Sequence, residues 1–320
     1  MKNILITSAG RRVSLVNIFK QYAKIIDRDI KVFTADMNPI MAAACYVSDA
    51  FFELPKITSS EYIEKLIETC KSHSIGIIIP TIDTCLPILA RNKQRFASEG
   101  IQVIVSDNDF VDLCCDKRKT FRFFEAHGIR CPKMIDVNNP KFPMFAKPYD
   151  GSSSKDIHTI MTDKDLSDSI KNNPKLMFME LLDKAEYKEL TVDMYFGRDN
   201  NVKCIVPRER IEVRGGEVSK GITRKNYLVD FLKEHFEHLP GVIGCICIQL
   251  FYRERDRNIF GIEINPRFGG GYPLSFHAGA NFPLFILKEY LRKEEINYSD
   301  SWEGNTIMLR YDAEIITHGK

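Results

Sequence analysis

The segment Ile259–Gly271 carries an acid, an amide and an arginine on alternate positions, Glu263, Asn265 and Arg267, and follows them with Gly269, Gly270 and Gly271. Successive side chains of a strand point to opposite faces, so Glu263 and Asn265 project together while Phe260, Ile262 and Ile264 pack inward. Upstream, Gly244–Phe251 reads as a second strand and Arg253–Asn258 as the polar turn between them. If that hairpin closes symmetrically about Asp256, Gln249 lies directly across from Glu263. One carboxylate and two amide oxygens then converge, a set of hard donors that suits Mg²⁺. An ordinary hairpin also turns polar residues outward. Pro266, Arg267 and the glycine run set this one apart.

Positive charge recurs where an anion would have to meet it. Asp116 is a good helix N-cap, which puts Lys117 in the first turn, where the helix dipole disfavours a cation unless an anion is near. Phe142–Pro148 reads as a strand with Lys147 near its end, and a lysine on a buried strand is costly without a counter-charge. The loop that follows, Gly151-Ser152-Ser153-Ser154, can fold amides and hydroxyls over phosphates. Further on, Arg208, Arg210, Glu212 and Arg214 share one face of a strand. Guanidinium forks there suit a carboxylate or its phosphorylated form, or simply make a solvated charged face, with Lys220 beside it.

Gln249, and fourteen residues later Glu263-Ile264-Asn265-Pro266-Arg267, resemble the metal and phosphate signature of the ATP-grasp superfamily, especially the synthetase units of the carbamoyl phosphate synthase large subunit. The resemblance covers residues 113–290 well and the first hundred more loosely. It implies that Gln249, Glu263 and Asn265 hold Mg²⁺, or Mn²⁺ in its place, that Arg267 contacts the transferred phosphoryl group, and that Lys117 and Lys147 clamp ATP. Ser152 and Ser153 fall in the loop over the phosphates, where related proteins carry several glycines. Lys175–Leu182 resembles the hinge that reads adenine, with Glu180 and Leu182 at its end and Met179 and Leu182 as apolar walls, and Glu189 falls where the family uses an acid for the ribose. As residues alone, Glu180 reads equally as a solvated strand edge.

The implied fold is an N-terminal Rossmann-like parallel-sheet domain (α/β, residues 1–112) followed by a two-lobed ATP-grasp domain (α+β, residues 113–320, with lobes 113–180 and 181–320). The first part of the chain agrees on its own pattern. Strands at Asn3–Thr7, Ile30–Ala35, Gly76–Pro80 and Val103–Val105 alternate with helical stretches at Arg12–Ala23 and Glu61–Ser72, which argues for a parallel sheet with helices on both faces. Ligands of such sheets sit at the carboxyl ends of the strands, where Arg11, Asp36 and Asp83 fall; these are substrate contacts or strand-end caps. There is no Gly-x-Gly-x-x-Gly, so a dinucleotide site is not expected.

The 320 residues are 44% hydrophobic with a net charge of +2, which gives no electrostatic reason to expect nucleic acid or an anionic membrane as partner. No apolar run approaches the roughly 18 residues of a membrane span, and the first residues lack a signal-peptide core, so a cytoplasmic protein is expected. Nine cysteines without a Cys-x-x-Cys pair read as reduced, mostly buried thiols. The expected activity is ligation of a carboxylate, of an amino acid or sugar acid, to an amine through an acyl phosphate, with Arg267, Lys147, Arg208 and Arg210 at the reacting groups and a homodimer as an open option. A nucleotide-binding regulatory module without turnover, or a kinase that stops at the phosphorylated acid, are the alternatives.

Overall fold

The computed structural model describes residues 1–151 and 156–318. Short runs of Ile, Val and Leu form the first sheet from β1 (Asn3–Thr7), β2 (Val32–Asp36), β3 (Phe51–Glu53), β4 (Ile75–Pro80) and β5 (Gln102–Val103), all parallel, in the order β3-β2-β1-β4-β5. Alternation sends Ile4 and Ile6 into the core under the helix Val13–Ile26, and Leu5 into the other core with the helix Tyr62–Ser72. The expected elements are all present, with ends shifted by up to three residues. Not foreseen are β3 and the helices Leu86–Arg91, Lys93–Ser98 and Asn108–Cys114, the last of which runs across residues 112 and 113.

Asp116 caps the helix Lys117–Ala126 by accepting the Arg118 amide at 2.9 Å. A three-stranded antiparallel sheet follows, β6 (Met144–Pro148), β7 (His158–Ile160) and β8 (Leu176–Glu180), in the order β7-β6-β8. Met144, Ala146, Ile160, Leu176 and Phe178 make a small core on one of its faces. Residues of the opposite parity, Phe145, Met177 and Met179, meet Phe121 of the helix, and Lys147 extends over the same ring.

The larger sheet contains β9 (Lys188–Phe196), β10 (Val202–Arg214), β11 (Glu217–Thr223), β12 (Gly244–Arg253), β13 (Asn258–Asn265) and β14 (Ile307–Leu309), antiparallel throughout in the order β13-β12-β9-β10-β11-β14. Its rear face buries Leu190, Val192, Met194, Ile246, Ile248, Leu250 and Ile264 in one core with the helix Tyr227–His235 and part of the first sheet. Its front face carries polar residues at matching levels: Thr191 and Asp193 on β9, Arg208 and Arg210 on β10, Gln249 on β12, Glu263 and Asn265 on β13.

Gln249 does pair with Glu263, but not by symmetric closure. A 3₁₀ turn at Glu254–Asp256, closed by Arg257 at φ 55°, makes Arg253 and Asn258 the innermost pair, one residue short of the expected register. A bulge at Ile262 restores it, since Leu250 pairs with Gly261 while Gln249 pairs with Glu263. The bulge also changes which residues face inward. Ile259 and Ile264 are buried; Phe260 lies on the front face with Glu263, and Ile262 is the half-buried extra residue. Two further register shifts, beside Glu212 on β10, interrupt the face that Arg208, Arg210, Glu212 and Arg214 were expected to share and cancel in the pairing with β11. No helix among the described residues is long and apolar enough to cross a membrane.

Candidate active site

Three segments remote in sequence bring charge to one place. Glu263, three-quarters covered, lies 3.5 Å from the Lys117 ammonium. Lys147, on β6, is 7% exposed and donates toward the carbonyl of Ile262 at 3.4 Å, the extra residue of the bulge. Burial pushes the Lys147 ammonium down from 10.5 to about 8, against the pull of Glu263. Burial opposes the charge of Glu263 too, but Lys117, Lys147 and a hydrogen bond from Asn265 outweigh it, and its carboxyl stays below its usual range. Asn265 donates to Glu263 at 3.2 Å, and its own oxygen lies 3.4 Å from an Arg267 nitrogen.

Arg267 belongs to the site and to the first domain at once. It donates to Asp83, just past β4, at 2.6 Å, and this pairing outweighs burial to raise the guanidinium's pKa. The Arg267 Nε and the Asp83 Oδ1 are buried without a hydrogen-bond partner. Asp83 thus has a role as partner to the arginine. Asp36 is a strand-end cap that accepts the amides of Gly10 at 3.1 Å and Asn38 at 3.2 Å.

Arg208 requires a correction. It is 2% exposed, and Nε and Nη2 donate to the two oxygens of Asp193 at 2.7 and 2.8 Å. Asp193 also accepts from Ser275 at 2.6 Å and from the Cys247 thiol at 3.0 Å. Such a bidentate buried pair positions its neighbours rather than waiting for a substrate. Arg210 and Glu189, expected at the substrate and at the ribose, are each other's partners, and Arg210 also bonds the Gly216 carbonyl. Arg214 is exposed and paired with Asp312, and Lys220 with Glu212. The Glu180 carboxylate accepts the Lys133 amide at 2.8 Å; Leu182 is half-buried just beyond β8. Ser152 and Ser153 lie outside the described residues.

Sequence reading missed Asp193. An acid inside the apolar run Val192–Phe196 was the available signal, because an unpaired charge there would be prohibitive. The glycine run has a steric reason that the sequence alone does not show. A Cβ on Gly271 would lie 2.2 Å from Arg208 Nη1, and one on Gly270 would lie 2.6 Å from the Glu217 carboxylate. These glycines make room for the protein's own charged groups.

The donor set suits a divalent ion that arrives with its own oxygens. No three His, Cys, Asp or Glu residues among the described ones cluster as a ready-made cage. Mg²⁺ usually takes one or two carboxylates and completes its shell with phosphate and water, so Glu263 with the amides of Gln249 and Asn265 is sufficient. A cavity of about 240 Å³ bordered by Lys188, Leu190, Glu209 and Tyr252 opens on the rear of the sheet, away from this group.

Comparison with known proteins agrees with the fold. Residues 4–104 match the PylC-like N-terminal domain model, and residues 172–308 match the model of the ATP-grasp in the biosynthetic pathway with Ter operon. No curated protein matches the chain. Among solved structures, the biotin carboxylase domain of Hydrogenobacter thermophilus 2-oxoglutarate carboxylase, crystallised with MgADP and bicarbonate, superposes with a TM-score of 0.71 at 13% identity over 96% of this chain and 73% of that one. Staphylococcus aureus N5-carboxyaminoimidazole synthetase with ADP gives 0.69 at 17% identity, covering 96% and 80%. Bacillus licheniformis L-amino acid ligase gives 0.68 at 16%, covering 91% and 74%. Over residues 4–104 and 172–308 the chain is thus similar to a PylC-like N-terminal domain followed by an ATP-grasp domain.

Proposed function

We propose that the protein is an ATP-dependent carboxylate–amine ligase that forms an acyl phosphate and releases ADP. The observation that carries this reading is the convergence of Lys117 and Lys147 on Glu263, with Gln249 across the hairpin and Arg267 beyond Asn265. A phosphoryl group in flight spreads negative charge over its oxygens, and catalysis consists mostly of holding it in line and neutralising that charge. Lys117 and Lys147 would take the ATP phosphates, Phe145, Met177 and Met179 would offer an apolar surface beside them, and Arg267 would face the transferring group. Glu263, Gln249 and Asn265 would hold Mg²⁺, or Mn²⁺, which supplies charge neutralisation. ATP and Mg²⁺ fit the ADP and MgADP seen with the structural neighbours.

A substrate carboxylate oxygen attacks the γ-phosphorus, the bond to the β,γ-bridging oxygen breaks, and ADP leaves. The amine then adds to the acyl carbon, and phosphate departs with the C–O bond as the nitrogen loses a proton. The Asp193–Arg208 pair and Ser275 fix the strand and the glycine turn around this chemistry. Localisation in the cytoplasm and assembly as a homodimer fit an enzyme of this kind and are part of the same proposal.

Hydroxylamine tests it. With MgATP and a carboxylic acid substrate it should give hydroxamate and ADP in equal amounts, and the true amine should replace hydroxamate with amide. ADP and an acyl phosphate that no amine intercepts would identify a kinase, and AMP with pyrophosphate would refute the phosphoryl-transfer reading.

A further inference from the structure

Beside Arg267, at the seam between the first sheet and the larger one, stands a group of charges that phosphoryl transfer does not use. Glu217, at the start of β11, accepts from Arg310 at 2.9 Å and lies 3.7 Å from Arg12, which follows β1. Arg310 also bonds the Gly270 carbonyl, in the turn that carries Arg267 toward the site. The side chains of Arg12 and Arg310 are 18% and 26% exposed, so both are largely withdrawn from water without being sealed from it.

The charges do not balance. Arg11, Arg12, Arg267 and Arg310 face three carboxylates, Asp83, Glu217 and Glu263, and Glu263 is already held by Lys117. Arg12 lies near enough to Arg267 and Arg310 for their charges to oppose its own, and burial pushes its guanidinium down despite Glu217. A half-buried cation in that setting is stabilised by an added anion, and a guanidinium fork is the group that receives one. An ammonium would have to compete for Glu217 with two arginines already placed around it.

We propose that Arg12 and Arg310, gathered about Glu217, bind a second anionic group of the substrate, so that the acid phosphorylated at the site carries a further carboxylate or phosphate. This rests on the ligase reading. The reacting carboxylate must lie against Arg267 and the ATP phosphates, and Arg12 is the next cation along the seam, at the far end of the same substrate.

The test is calorimetric binding of short α,ω-dicarboxylates, with and without an α-amino group, to the full chain in the presence and absence of a non-hydrolysable MgATP analogue. Their half-amides and ω-phosphono acids are run in parallel. A dianion should bind at least about tenfold more tightly than its half-amide, the loss expected for one charge-assisted contact. Arg12→Gln and Arg310→Gln should each erase that preference, and Arg12→Lys should restore part of it. Arg12 lies outside hydrogen-bond distance of Glu217, so its variant remains decisive if Arg310→Gln fails to fold. Preference for the phosphono acid identifies the second group as a phosphate. Equal affinity for diacid and half-amide, retention of the preference in Arg12→Gln, or binding of the nucleotide analogue with no dianion bound would overturn the proposal and leave the ligase reading standing. A dianion preference without nucleotide binding would uphold this site and remove that reading.

Discussion

Lys147 makes nucleotide affinity a function of pH. In the free protein its ammonium titrates near pH 8, because β6 holds it away from water and Glu263 compensates only in part. ATP phosphates placed against it would favour the charged form and return the pKa to at least the ordinary value of about 10.5. Binding above pH 8 must therefore take up a proton. From the two pKa values, affinity should fall about 20-fold between pH 7.5 and 9.5, about 2 kcal/mol, with uptake of about 0.9 proton at pH 9. Titration calorimetry with MgATP in buffers of different ionisation enthalpy measures both quantities. Lys147→Arg keeps the charge but does not titrate in this range, so its affinity should be flat over the same interval. Folding stability moves the other way in the free protein. Below pH 8 the lysine is charged whether the chain is folded or not; between about 8 and 10.5 the unfolded chain holds more protons, so stability gains from Lys147 as pH rises. A pH-independent affinity in the wild type, or an unchanged slope in Lys147→Arg, would refute the placement of Lys147 on the phosphates.

MgATP at about 100 times its dissociation constant should add roughly 2.7 kcal/mol to folding stability, visible as a higher thermal midpoint that NAD does not reproduce. Glu263→Gln should abolish ADP release and also lower the midpoint, because Lys117 and Lys147 both face its carboxylate; a variant with undiminished turnover would remove the metal-site assignment. Asp193→Asn leaves Arg208 buried without its counter-charge and should cost about 3–5 kcal/mol by denaturant titration, whereas loss of activity at unchanged stability would place Asp193 at the substrate. Arg267→Ala should depress hydroxamate and amide together, since it acts before the two paths diverge; a fall in amide alone would move Arg267 to the second step.

The parts of the site legible in the sequence are those whose geometry is local. Alternation along one strand is enough to put Glu263 beside Asn265, and capping chemistry is enough to start a helix at Lys117. Where a pairing depends on an irregularity, the pattern misleads or succeeds by cancellation. The Gln249–Glu263 register came out right because a shorter turn and a bulge offset one another, and the same bulge moved Phe260 to the front face. On β10 the two shifts beside Glu212 cancel in the pairing with β11, yet the arginines expected to act together end in separate ion pairs. Which arginine is free and which is spent depends on a carboxylate elsewhere in the chain. Asp193 for Arg208, Glu189 for Arg210 and Asp312 for Arg214 lie between 15 and 98 residues from their partners, and no local pattern announces them.

The Asp83–Arg267 pair explains why the first domain accompanies the site at all. Asp83 follows a strand whose sheet is assembled independently of β13, yet it holds the arginine 184 residues away at 2.6 Å. An unpaired Arg267 would be free to collapse onto Glu263, whose charge already acts on it, and so to neutralise the group proposed to meet a metal ion. Asp83 draws the guanidinium away from Glu263 and leaves that carboxylate to the two lysines, which phosphates can take over in turn. The same seam brings Arg12 alongside Arg267. A substrate binding there would touch both domains at once, so its affinity and the alignment of Arg267 should rise and fall together.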